Sequence, residues 1–149
     1  MVPEFQVAGF LTGMLPWAGD GTTVMQESYV QKLLDAFRKQ TEGRRVCFVG
    51  GADLAHVGPF FGDQDSVDQE RLDLLARVER EKLGHLQGGD PGAFHRSVEH
   101  NGNPDRICGT TPMVLTAALA GGEGQLLHYE QARAPDGSQC VSFCSMVFQ

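Results

Sequence analysis

With 149 residues, 12 Lys and Arg against 19 Asp and Glu, and a formal charge of -7, the chain is long enough to bury a core and ordinary enough in composition to fold, which excludes wholesale disorder. The acidic excess gives no counterion-release drive toward nucleic acid or an anionic membrane, and the basic pairs Arg38/Lys39 and Arg44/Arg45 are too short for a phosphate-binding stripe. Residues 1–5 carry no basic leader and no apolar run approaches the roughly 20 residues that span a bilayer, so a cytoplasmic protein whose four cysteines stay as thiols is expected.

Residues 6–15 form an apolar run of strand length, closed by Pro16, Gly19 and Gly21, and Trp17 in that loop reads as a rim aromatic or a plug over the core edge. From Ser28 onward, Val30, Leu33, Leu34 and Phe37 recur at helical spacing, with Gly43 just past the end. Residues 44–49 read as a buried strand running into Gly50-Gly51, with Cys47 in the core. A helix followed by such a strand implies an α/β fold, a sheet covered by helices. Residues 67–86 carry Leu72, Leu75, Val78 and Leu83 at loosely helical spacing, as one helix or as two divided near Gly84, and the run Glu79-Arg80-Glu81-Lys82 reads as a solvated face. Asp90-Pro91 is a helix start, since Asp caps and Pro tolerates the first helical position; that helix holds Phe94 and Val98 and ends before Asn101-Gly102. Thr110 or Thr111 as cap and Pro112 as first residue begin another, which runs to Ala120 before Gly121-Gly122. Residues 125–132 and 140–148 are strand-like, joined by the turn Pro135-Asp136-Gly137, and are expected to pair or to share a sheet. Cys140 and Cys144, four apart, fall on one strand face and pack in the core. No linker splits the chain, so one domain spanning residues 1–149 is expected.

Two places carry candidate chemistry. Asp53 and His56 stand three apart in a turn just after a predicted strand, where ligand sites of α/β sheets gather. There the carboxylate either orients the imidazole for acid/base work or ligation, or makes a local cap. Cys108, just ahead of a helix N-terminus, is either a thiolate nucleophile or ligand, or a small buried apolar residue. His85, His95, His100 and His128 form no ligand spacing and read as surface or hydrogen-bonding residues, while Tyr129, beside His128 and Glu130, is placed to line a pocket.

The segments GGADLAHVGPFFGD (residues 50–63), ICGTTP (107–112) and LLHYEQARAPDGSQCVSFCSMVF (126–148) together resemble the MEMO family, the B component of the AmmeMemoRadiSam set. That family is similar to the class III extradiol dioxygenases. The resemblance implies a mixed sheet flanked by helices with a non-haem metal site at the strand ends, His56 and Asp53 in its pocket and Cys108 in the place of a ligand carboxylate. It implies a soft site for iron, copper or zinc, with His56 moving protons beside the ion. Family members are longer, and their amino-terminal half supplies pocket histidines, whereas this chain has no His before residue 50. It therefore matches the carboxyl-terminal half. A metal on His56 and Cys108 alone has two protein ligands, so a homo-oligomer or a separate amino-terminal-half chain is expected to complete the site and cover the open sheet edge. The resemblance equally permits a non-catalytic adaptor that binds a peptide or small molecule.

Overall fold

The computed structural model describes residues 4–15 and 23–149; the loop expected at Pro16, Trp17, Gly19 and Gly21 lies outside the described residues. Helix α1 (Ser28–Thr41) buries Val30 and Leu34, two members of the stripe read from the sequence. Helix α2 (Gln69–Gln87) is continuous through Gly84 and starts at Asp68, whose carboxylate accepts the Arg71 N–H at 2.8 Å. Helix α3 (Pro91–Glu99) is capped as expected, the Asp90 carboxylate accepting the Ala93 N–H at 2.7 Å. Helix α4 (Thr110–Ala120) begins two residues earlier than expected, with Gly109 as its cap and Pro112 as its third residue. Proline is tolerated there because the first four amides of a helix have no intrahelical partner in any case.

Three antiparallel strands complete the α/β fold: β1 (His56–Val57), β2 (Gly124–Arg133) and β3 (Cys140–Phe148), in the spatial order β1-β3-β2. The expected hairpin pairs Arg133 with Cys140 at the turn end and Gly124 with Phe148 at the other. Cys140, Cys144, Met146 and Phe148 line one face of β3 and join a core with Leu34, Leu83, Leu86, Phe94, Val98 and Val114. All four cysteines are free thiols. No helix among the described residues is long and apolar enough to cross a membrane.

Three expectations are corrected. Residues 6–15 and 44–49 join no sheet. An apolar strand needs a neighbour on its edge and cover on its faces; these segments have neither, and Val7, Leu11, Val46 and Val49 stand exposed, Val49 at 86%. They meet instead through rings, with Phe10 edge-on to Phe37 at 4.9 Å and Phe37 edge-on to Phe48 at 6.5 Å. Cys47 is accordingly exposed rather than in the core. Finally, the charged run of α2 is not a uniformly solvated face, because Glu79 and Lys82 are both buried.

Candidate functional site

Residues 53–57 run between two neighbours. On one side the Leu54 N–H donates to the Ser142 carbonyl at 2.9 Å and the Ser142 N–H to the Ala55 carbonyl at 3.1 Å. On the other the His56 N–H donates to the Asp105 carbonyl at 2.8 Å and the Gly109 N–H to the Asp53 carbonyl at 3.2 Å. The second contact is tight: a Cβ on Gly109 would collide with Ala52 and the Asp53 carbonyl, so only glycine lets the segment before α4 lie this close. The turn therefore places Asp53 and His56 beside the segment that carries Cys108.

His56 Nε2 lies 3.9 Å from the Asp53 carboxylate, so the sequence-predicted pair does converge; the His56 side chain is 20% exposed and that of Asp53 57%. The Nδ1 edge of His56 is 3.2 Å from both the Leu54 and the Arg106 carbonyl oxygens. Carbonyls only accept, so the proton of the neutral ring resides on Nδ1 and the Nε2 lone pair is turned toward Asp53. Phe61 packs edge-on against the imidazole at 5.1 Å, and the exposed Phe60 packs edge-on against Phe61 at 5.2 Å.

Arg106 shapes the rim. Its backbone is left-handed, at φ 53°, a conformation that costs a long side chain energy and that surrounding contacts must hold. Asn103 supplies two of them, accepting the Ile107 N–H at 2.9 Å and donating to the Ile107 carbonyl at 3.0 Å. The guanidinium donates to the His56 carbonyl at 3.2 Å and pairs with Asp63, whose other oxygen accepts the Gly58 N–H at 2.7 Å. Gly58 itself, at φ 110°, sits where a Cβ would come within 2.6 Å of the Ser138 carbonyl. Asp105, half-buried, is paired with Lys82 at 3.4 Å and with Arg71 at 4.0 Å.

Beneath the turn lies a group the sequence reading missed. Glu79 is 1% exposed. Its Oε1 accepts the Ala55 N–H at 3.0 Å and the Ser142 hydroxyl at 2.7 Å, and its Oε2 accepts the Tyr129 hydroxyl at 2.6 Å. Burial pushes the Glu79 carboxyl above the usual carboxylate range, against the pull of those three donors. Burial and the bond to Glu79 push the Tyr129 phenol up as well. Arg80 lies over the Tyr129 ring, 4.6 Å from its centre. A signal was present: Glu79 stands four after Leu75 and four before Leu83, in the middle of the buried stripe of α2.

Cys108 is exposed, one residue ahead of the α4 cap. The cleft it borders, about 10 Å³, is lined by Leu15, His95, Glu99 and Thr111, and not by Asp53 or His56. Among the described residues no three His, Cys, Asp or Glu side chains gather as a metal-holding group. Asp53 and His56 are thus a two-donor arrangement with a thiol on the neighbouring segment. The family model for Memo-like proteins matches residues 21–147.

The chain belongs to the Memo-like protein family. No curated protein matches it. The matched range of this Memo-like chain contains Asp53, His56, Glu79 and Cys108.

His95 of the Memo-like chain, scattered in the sequence reading, is buried on α3. Burial pushes its imidazole below the usual histidine range, opposed by the Glu99 charge and a bond to the Leu15 backbone. Between that lowered value and about 6.5 the unfolded chain binds more protons than the folded one, so stability present above about pH 6.5 is lost as pH falls through the folded value. Thermal unfolding followed from pH 7 to 5 is expected to show a fall in Tm that is shallower in His95→Gln. Parallel slopes for the two proteins would show that His95 does not carry the effect.

Proposed function

We propose that the Asp53–His56 turn, with Cys108 beside it, is a half-site for a divalent ion of the iron, copper or zinc class, whose remaining donors come from a second copy or a separate amino-terminal-half chain. The observation that carries this reading is the fixed imidazole: two carbonyls hold Nδ1–H and turn Nε2 toward a carboxylate that is open to solvent. Histidines that ligate metals are held in this way. A neighbouring thiolate selects softer ions over magnesium. The described residues of one chain fall short of the roughly three or four ligands of ordinary sites, so the half-site binds the ion only with donors from elsewhere. What these residues do by themselves is narrower: His56 Nε2 accepts a proton from, or returns it to, a small polar ligand lying against Asp53. Such a half-site suits a dioxygenase-related AmmeMemoRadiSam B component. A cytoplasmic setting, which keeps thiols reduced, suits the four free cysteines.

A second reading, an adaptor, is favoured by the apolar side chains of residues 5–14 and 46–49, where Phe5, Val7, Phe10, Leu11, Met14, Val46 and Val49 are exposed. A surface of this kind marks a protein contact. One experiment separates the readings: elemental analysis of tag-free protein, with sedimentation of the same samples, for wild type, His56→Ala, Asp53→Asn and Cys108→Ser. The half-site predicts near-stoichiometric metal in the associated species and a loss of about tenfold or more in affinity with His56→Ala. Metal content indifferent to all three substitutions overturns it; partner capture that tolerates Cys108→Ser supports the adaptor.

A further inference from the structure

We propose that Glu79 is the positioning residue of this site: through one buried peptide group it steadies the Leu54 carbonyl, which together with that of Arg106 sets the orientation and tautomer of His56. The inference rests on the reading of Asp53 and His56 as a site, and adds a residue on another element that neither motif contains.

In a regular strand, residues three apart point to opposite faces. Asp53 and His56 nevertheless approach to 3.9 Å. The difference is one extra residue, because Leu54 and Ala55 both lie opposite Ser142, after which the ladder resumes with His56 opposite Val141. That is a β-bulge, a device that re-aims side chains and leaves an amide without a ladder partner. Here the amide is that of Ala55, and the Glu79 carboxylate together with the Ser142 hydroxyl, at 2.9 Å, receives it.

The Ala55 N–H and the Leu54 C=O are two ends of one planar peptide unit. Glu79 holds the N–H end at 3.0 Å, and His56 Nδ1 is held at the C=O end at 3.2 Å. A buried carboxylate on the amide polarises the unit and strengthens the carbonyl as an acceptor for Nδ1–H. The other oxygen of Glu79 is anchored by Tyr129, whose hydroxyl accepts from Gln131 at 2.9 Å. Tyr129 reaches the inner face only because β2 skips Leu127 in its pairing with β3, so that Leu126 and Tyr129, three apart, are both turned inward. Two irregularities, one on each side of β3, thus converge on one side chain of α2.

The test reads the His56 ring nitrogens by ¹⁵N NMR on metal-free protein, with His56→Gln assigning the signals among the five histidines. Wild type is expected to show Nδ1–H for the neutral ring. Glu79→Gln, which keeps an oxygen acceptor at Ala55, preserves that signature, and Glu79→Ala moves it toward Nε2–H. Tyr129→Phe, which removes only the anchor on the far oxygen, lowers Tm and leaves the tautomer in place; a merely structural role for Glu79 would lower Tm in the same way without moving the tautomer. An unchanged His56 signature in folded Glu79→Ala overturns the proposal. Should that variant not fold, Glu79→Asp, one methylene short of Ala55, carries the test with the same two outcomes. Zinc titration of the same samples is the separate arm. Loss of affinity of about tenfold or more in Glu79→Ala is expected. A wild type that binds no zinc would sink the metal half-site while leaving the tautomer result to stand or fall alone.

Discussion

Glu79→Leu is expected to lower the unfolding free energy by about 3–5 kcal/mol, the summed loss of three donors that share one carboxylate acceptor. Leucine matches the apolar stripe of α2 and would be the better helix residue, so neither propensity nor hydrophobicity opposes it. The cost arises in what remains. The Ala55 amide, the Ser142 hydroxyl and the half-buried Tyr129 hydroxyl all lose the carboxylate as acceptor, and each buried unpaired group costs roughly 1–3 kcal/mol. The Ser142 oxygen still receives the Ala55 N–H, which softens the first of these losses. Adding Tyr129→Phe to Glu79→Leu should therefore recover about 1 kcal/mol, since a phenyl ring leaves no hydroxyl unpaired, whereas Tyr129→Phe alone should destabilise. Urea unfolding at unchanged m-value reads both effects. Simple addition of the two single losses would show that the carboxylate and the phenol do not act together.

This network also shows where the sequence stops being readable. Helices α1 and α3 were legible because their information is local: the spacing of Val30 and Leu34 fixes one buried face, and Asp90-Pro91 fixes one start. The β2–β3 hairpin was legible from two apolar runs around a Pro-Asp-Gly turn. Residues 6–15 and 44–49 look like strands by the same criteria and are not, because a strand is a property of a pair and nothing in the local sequence says whether the neighbour is at hand. Cys47 went with that error. Asp53 and His56 could be singled out by type and spacing, yet what brings them together is a bulge opposite Ser142, some 87 residues away along the chain. Glu79 was read by its neighbours Arg80 and Glu81, which are exposed, when its helical phase placed it with Leu75 and Leu83. Charge along the sequence and position around the helix gave opposite answers, and the helix phase was right.

The second large effect is expected from Phe94→Ala, at about 3–5 kcal/mol, with Phe94→Leu costing distinctly less because most of the volume is retained. Phe94 is wholly buried, and α3, nine residues long, is too short to persist on its own. Its place depends on the face formed by Phe94, His95 and Val98, which packs toward α2 and α4. Truncating the ring removes the largest apolar group of that face and leaves a void that two helices fixed at their own ends cannot close. The loss should be local before it is global. Amide exchange is expected to speed up across α3 well below the urea midpoint, while the β2–β3 ladder stays protected. Because Leu15 and Glu99 act on His95 from this same region, the acid sensitivity assigned to His95 should also weaken as α3 loosens and the imidazole meets water. Uniform acceleration of exchange in α3 and the hairpin together would mean instead that α3 and the sheet open as one unit, and that Phe94 holds the whole core rather than one helix.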